Sequence, residues 1–255
     1  MLTIAVAGKG GTGKTTTCGM IIDYLTSNKK GTVLAVDADA NSNLNEVLGV
    51  EIETTLGDIR EDIAQSELME KSPIPSGMTK AEYAEYRFNS ALCEQDDYDL
   101  LVMGRTQGKG CYCYVNGLLQ TQLQKYVGHY DYMVIDNEAG LEHIARGTLP
   151  KVDILLLVSD CSRRGIQAVG RIAEMVKELN LKPDVMKLIV NRAPGGVLND
   201  GVREEIEKHG LQLAGVMPQD DTVFDWDCEG KPTSQIPQDA PSKQALAKIL
   251  EGLGL

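Results

Sequence analysis

The sequence predicts an α/β fold, a doubly wound and mostly parallel sheet flanked by helices. Three observations carry that expectation. Short apolar runs recur along the chain with longer helix-periodic stretches between them, as strand–helix–strand units require. A glycine-rich segment joins the first run to the first helical stretch, which places a ligand loop at the carboxyl end of a strand. The chain has 255 residues, 42% of them hydrophobic, enough to bury one large core, so a single domain over residues 1–255 is expected.

The first strand is Leu2-Thr3-Ile4-Ala5-Val6-Ala7, and a helix follows the glycines over residues 15–26. Further strands are expected at 33–37, 100–103, 132–136, 154–159, 186–191 and 213–216, each an apolar run bounded by turn residues. Residues 165–179 read as a helix, and so do 243–250 after Pro241-Ser242, with Ser242 as the N-cap. The stretch from about 54 to 99 breaks the alternation and reads as a helical insertion. It holds a Pro/Ser/Gly break at 72–77 and then Thr79-x-x-Glu82, a capping box opening a helix through Leu92. No internal repeat or low-complexity tract interrupts the chain.

The chemistry concentrates in Gly8-Lys9-Gly10-Gly11-Thr12-Gly13-Lys14-Thr15, a phosphate-binding loop between strand and helix. The glycines let backbone N–H groups curl around a polyphosphate and Lys14 reaches the β- and γ-phosphates. The Thr15 hydroxyl suits Mg²⁺, Thr16 lies beside it, and the helix directs its positive end at the anion. Binding of ATP with Mg²⁺ is therefore expected. Asp37-Ala38-Asp39 ends the second strand; Asp37 can support the cation and Asp39 can orient the attacking water, the competing reading being a loop-capping acidic pair. Met133-Val134-Ile135-Asp136 is a Walker-B-like strand ending in an acid, followed by Asn137-Glu138-Ala139-Gly140 as a switch. Asn191 can hydrogen-bond adenine, with Met217-Pro218 as an apolar contact, although an asparagine at a strand end is also an ordinary turn residue.

Gly110-Cys111-Tyr112-Cys113 is the second loaded segment. Two thiols one residue apart supply half of a four-thiolate shell, and a two-fold dimer would supply the rest. A redox pair and two incidental small residues are the competing readings. Cys18, Cys93, Cys161 and Cys228 are scattered and read as packed thiols, and His143 as a hydrogen-bonded structural residue. The net charge of −12 argues against a nucleic-acid partner. With no signal-peptide-like start and no apolar stretch near the ~20 residues of a membrane span, a cytoplasmic location and no membrane partner are expected. The terminal helix, with Ala245, Leu246, Ile249 and Leu250 but only Lys243 and Lys248 as cations, reads as a core cover.

Lys9, the second lysine of the loop, resembles the signature of the deviant Walker A ATPases, a class in which this lysine crosses a dimer interface to the partner's nucleotide. The chain as a whole resembles the MinD/nitrogenase-iron-protein group and, within it, the CooC family of carbon monoxide dehydrogenase nickel-insertion accessory ATPases. The resemblance rests on the loop and on Asp37-x-Asp39 with Asn43-Leu44 and Leu48-Gly49. It extends to Cys111-x-Cys113, Asp136, Ala139-Gly140, Glu142-His143 and Arg146-Gly147. It implies catalytic roles for Lys9, Lys14 and Asp39, and a homodimer tightened by ATP that holds Ni(II) or Zn(II) between paired Cys-x-Cys motifs. It also implies nickel delivery to carbon monoxide dehydrogenase, or to acetyl-CoA synthase as in a similar maturation protein. Ala40 departs from the proline that many relatives carry there. An iron–sulfur electron-transfer ATPase is one alternative, but no cysteine lies between Asp136 and Cys161. The other is a MinD-like positioning ATPase, which needs no Cys-x-Cys.

Overall fold

In the computed structural model the described residues are 1–39, 43–66, 73–104, 117, 121, 124–126, 128–138 and 151–255. An eight-stranded sheet forms the middle layer, in the order β3-β4-β2-β5-β1-β6-β7-β8. Its strands are β1 (Leu2–Ala7), β2 (Val33–Ala38), β3 (Leu92–Glu94), β4 (Tyr98–Val102), β5 (Tyr132–Asn137), β6 (Ile154–Asp160), β7 (Val185–Ala193) and β8 (Leu213–Pro218). Every neighbouring pair is parallel except β3 with β4, where Leu92 lies opposite Leu101. The doubly wound parallel sheet expected from the sequence is the architecture found.

The central strands are buried on both faces, and this is why they read as unbroken apolar runs. Ile4 and Val6 of β1 join one core, Ala5 and Ala7 the other. Helices α1 (Lys14–Ser27), α2 (Leu44–Leu48) and α8 (Pro241–Gly252) cover the first face through residues such as Ile21, Leu25, Leu44, Leu246 and Leu250. The second face is covered by α3 (Leu56–Gln65), α4 (Lys80–Ala91), α5 (Arg163–Glu178) and α6 (Asp200–Lys208). On α5 the buried residues Ile166, Val169, Ile172, Ala173 and Val176 form one helical stripe, and Ser162 caps its start by accepting from the Gly165 N–H. A short α7 (Asp221–Cys228) follows β8.

Several local expectations meet corrections. The Thr79–Glu82 capping box opens α4, but the helix ends at Ala91 and Leu92 begins the edge strand β3. A second capping box, Thr55 with Asp58, opens α3. Ser242 is not the N-cap of α8: Ala240 is, with Pro241 in the first turn. The Ser242 N–H instead donates to Asp220 Oδ2 at 2.9 Å, so a carboxylate from the start of α7 takes over the capping of α8. Cys18 is buried as expected, whereas Cys228 is exposed at the end of α7. The last helix does cover the core: Leu246 and Leu250 are buried, and Lys243 is paired with Asp23 of α1 at 2.8 Å. Among the described residues no helix is long and apolar enough to cross a membrane.

Candidate nucleotide site

The loop of residues 8–15 leaves β1 at the middle of the sheet and runs into α1. Gly8 is required by space, because a Cβ there would sit 2.1 Å from the Val158 carbonyl oxygen. Gly13 is required twice over, by a φ of +89° and by the side-chain amide nitrogen of Asn191, 2.4 Å from where a Cβ would be. The Thr12 hydroxyl donates to the Lys9 carbonyl at 2.8 Å and the Thr17 hydroxyl to the Gly13 carbonyl at 2.7 Å, closing the loop on itself. Lys14 is buried at the start of α1, whereas Lys9 and Gly10 are exposed.

The sheet register brings the acids to this loop. Asp37 of β2 lies directly opposite Asp136 of β5, and Asp136 is also opposite Val6 of β1. Asp37 is fully buried, its carboxylate accepting the Asp39 N–H at 3.0 Å and the Leu44 N–H at 2.9 Å. Burial nevertheless pushes its pKa up to about 7, with Asp136 and Asp39 adding to the rise. Burial also raises Asp136 to about 6 against the pull of the Thr15 hydroxyl and Lys14. Its Oδ1 is buried without a hydrogen-bond partner. Cys18 stands beside it, a thiol held protonated by burial and then by Asp136 and Asp37.

A glycine cradle, a buried lysine and an orphaned carboxylate oxygen are what a polyphosphate with Mg²⁺ needs. Thr15 and Asp136 are the residues that would hold the cation, with Asp37 behind them. Mg²⁺ there would supply charge neutralisation of the phosphates.

Toward β8 a pocket of about 520 Å³ opens next to the loop. Thr16, Asn191, Met217, Pro218, Asp220 and Phe224 are among its walls, so Asn191, Met217 and Pro218 do come together. The Asn191 side chain is tied within the protein: Nδ2 donates to the Thr12 carbonyl at 3.0 Å and Oδ1 accepts the Arg192 N–H at 2.9 Å. Arg192, Asp220 and Ser242 also line this pocket, and none of them is a candidate site residue from the sequence, where Ser242 reads only as a helix N-cap. A Pro-x-Asp after a strand was the only local signal, and it concerns Asp220 alone. Cys111, Cys113, His143 and the switch residues Ala139 and Gly140 lie outside the described residues. Among the described residues no group of three or more His, Cys, Asp or Glu could hold a metal ion.

This fold and loop define a P-loop nucleotide-binding protein. The CobQ/CobB/MinD/ParA nucleotide binding domain matches residues 3–233, and the chain belongs to that family of ATP-binding and ATP-hydrolysing P-loop proteins. It is 40% identical over 250 residues to an uncharacterised ATP-binding protein of Methanocaldococcus jannaschii, covering 97% of this chain and 96% of that one. It is 32% identical over 190 residues to the carbon monoxide dehydrogenase accessory protein CooC of Rhodospirillum rubrum, covering 70% of each. A chain of the MinC:MinD cell division protein complex of Aquifex aeolicus shares the fold, with a TM-score of 0.71 and 22% identity over 100% of this chain and 96% of that one.

Proposed function

We propose that this chain is a cytoplasmic, ATP-driven metallochaperone that promotes nickel insertion into a client enzyme, carbon monoxide dehydrogenase or acetyl-CoA synthase. The observation that carries the reading is the 32% identity to a carbon monoxide dehydrogenase accessory protein. The Cys111-x-Cys113 pair supports it, because a nickel carrier needs thiolates and a positioning ATPase does not. In this reading ATP binds along residues 8–16, Lys14 neutralises the phosphates and Asp39 orients the attacking water. Asn191 and Pro218 flank the base. Lys9 crosses a homodimer interface to the partner's nucleotide, and the two Cys-x-Cys pairs meet across the same axis around one Ni(II) or Zn(II). Hydrolysis to ADP and phosphate accompanies delivery. The MinD-like alternative has less support: the apolar residues of α8 are spent on the core and Lys243 on Asp23, which leaves that helix little to offer a lipid surface. No nucleic-acid or membrane partner is part of the proposal.

The test is metal titration of the wild type and of Cys111→Ser and Cys113→Ser, with the mass of each species measured with and without ATP. About one Ni(II) or Zn(II) per two chains is expected in the wild type, and severe loss in either single variant with ATP affinity retained. Tight stoichiometric binding to a monomer, or undiminished binding in the double variant, would overturn the shared site.

A further inference from the structure

We propose that Arg192 is a positioning residue that, together with Asn191, holds the phosphate loop in its anion-binding shape. The inference rests on the chain being an ATPase and is independent of the nickel reading. β7 and β8 stay paired as far as Val190 opposite Val216, and pairing resumes with Ala193 opposite Pro218. Between them Asn191 and Arg192 form an irregularity in which Arg192 takes a φ of +56°. Few residues with a side chain adopt that left-handed backbone, and bulges of this kind re-aim side chains next to sites.

Here the turn sends two consecutive side chains to one loop. Asn191 Nδ2 donates to the Thr12 carbonyl at 3.0 Å, and Arg192 Nη1 donates to the Gly11 carbonyl at 3.3 Å. The Arg192 N–H also donates to Asn191 Oδ1 at 2.9 Å, which fixes the two residues as one unit. A trans peptide points its carbonyl and the following N–H in opposite directions. Drawing back the carbonyls of Gly11 and Thr12 therefore turns the N–H groups of Thr12 and Gly13 the other way, as an anion nest requires. Gly11 and Gly13 both have positive φ, +78° and +89°, in a segment whose glycines would otherwise allow many shapes. Arg192 also lines the adjoining pocket, so one strained turn shapes both halves of the site.

A residue that preorganises the loop acts on nucleotide affinity and leaves the chemical step alone. In steady-state hydrolysis Arg192→Ala should raise the KM for ATP, and by calorimetry the Kd for ADP, about fivefold, the effect of one ordinary hydrogen bond, since this one is long and exposed to water. kcat should stay within about twofold. Arg192→Lys, which keeps the charge and a donor, should recover at least about half of that loss on a logarithmic scale. Arg192→Gly relieves the left-handed backbone while removing the donor; it should keep the affinity defect and melt no lower than wild type without nucleotide. Unchanged KM and Kd in Arg192→Ala would overturn the proposal, as would wild-type affinity in Arg192→Gly or a fall in kcat alone. A wild-type chain that bound neither nucleotide would overturn the ATP reading and this inference with it, whereas normal wild-type binding with unaltered variants overturns the inference alone.

Discussion

Asp136 at the end of β5 and Glu205 in α6 are equally hidden, each 1% exposed, and they behave in opposite ways. Around Glu205 the cations arrive from two helices. Arg163 donates to its Oε2 from Nη2 at 2.9 Å and from Nε at 3.2 Å, while Gln167 and Lys208 reach Oε1 at 3.2 and 3.4 Å. These bonds, Arg163 first, hold its carboxyl down at about 2, and they pin α5 to α6 on the face away from α1. Asp136 has Lys14 and the Thr15 hydroxyl nearby but keeps an unpartnered oxygen, and burial holds it up at about 6. Both are hidden from solvent, but Asp136 lies between central strands of the sheet, whereas Glu205 is covered by the exposed side chains of Arg163 and Lys208. The unpartnered oxygen of Asp136 sets it apart from a structural clasp such as Glu205.

The largest effect expected at the Asp136 end comes from removing its neighbouring cation. Lys14→Ala should weaken ATP binding by about a hundredfold or more, since a buried charge partner of the phosphates is lost. Asp39→Ala should bind ATP and fail to turn it over. Calorimetry and phosphate release read the two, and equal loss of affinity in both variants would show that Asp39 is misassigned.

The next effect tests the carboxylate itself. Because the folded-state pKa of Asp136 is raised from 3.8 to about 6, its charge destabilises the nucleotide-free fold progressively as pH rises through that window. Asp136→Asn should therefore stabilise the ligand-free chain by about 3 kcal/mol at pH 8 and about a third of that at pH 4.5. Thermal melting at the two pH values decides it, and a gain that did not grow with pH would break the contrast with Glu205.

Glu205 should show the reverse sign, with a smaller amplitude because its cationic partners Arg163 and Lys208 are exposed and water screens them. Its pKa falls from 4.5 to about 2, so its stabilisation is complete above 4.5 and is lost as pH drops toward 2. Glu205→Gln should melt a few degrees below wild type at pH 7, and the two curves should converge in acid. Nucleotide affinity should not change. A shift in ADP binding would show that the clasp on the far face reaches the site.

Much of the fold was readable because its signals are local. Buried parallel strands such as residues 154–160 are continuous apolar runs, and the phosphate loop is a contiguous pattern with each residue type fixed by one job. Thr79 and Glu82 announce a helix within four residues, and the Thr55–Asp58 box uses the same device with a shorter acid. Ser242 shows where local reading stops: its residue type and its proline neighbour suit an N-cap, yet the helix starts at Ala240 and a carboxylate 22 positions away in sequence takes its N–H. The edge strand β3 escaped notice because Leu92–Glu94 is too short to show a period.

The sequence by itself determined the longer buried strands, the glycine-rich loop and the acids available to it, because hydrophobic period and turn chemistry act over a few residues. Strand order is a global property, and the tertiary structure alone decided which acids became neighbours. Placing β2 beside β5 set Asp37 opposite Asp136 in a dry interior, and this raised both of their pKa values. Placing β7 two strands from β1 let Asn191 and Arg192 reach carbonyls of Thr12 and Gly11, the first pair 179 positions apart in the chain. No local pattern encodes such a contact, since it depends on how the crossovers stack the strands and on the bulge that aims the side chains.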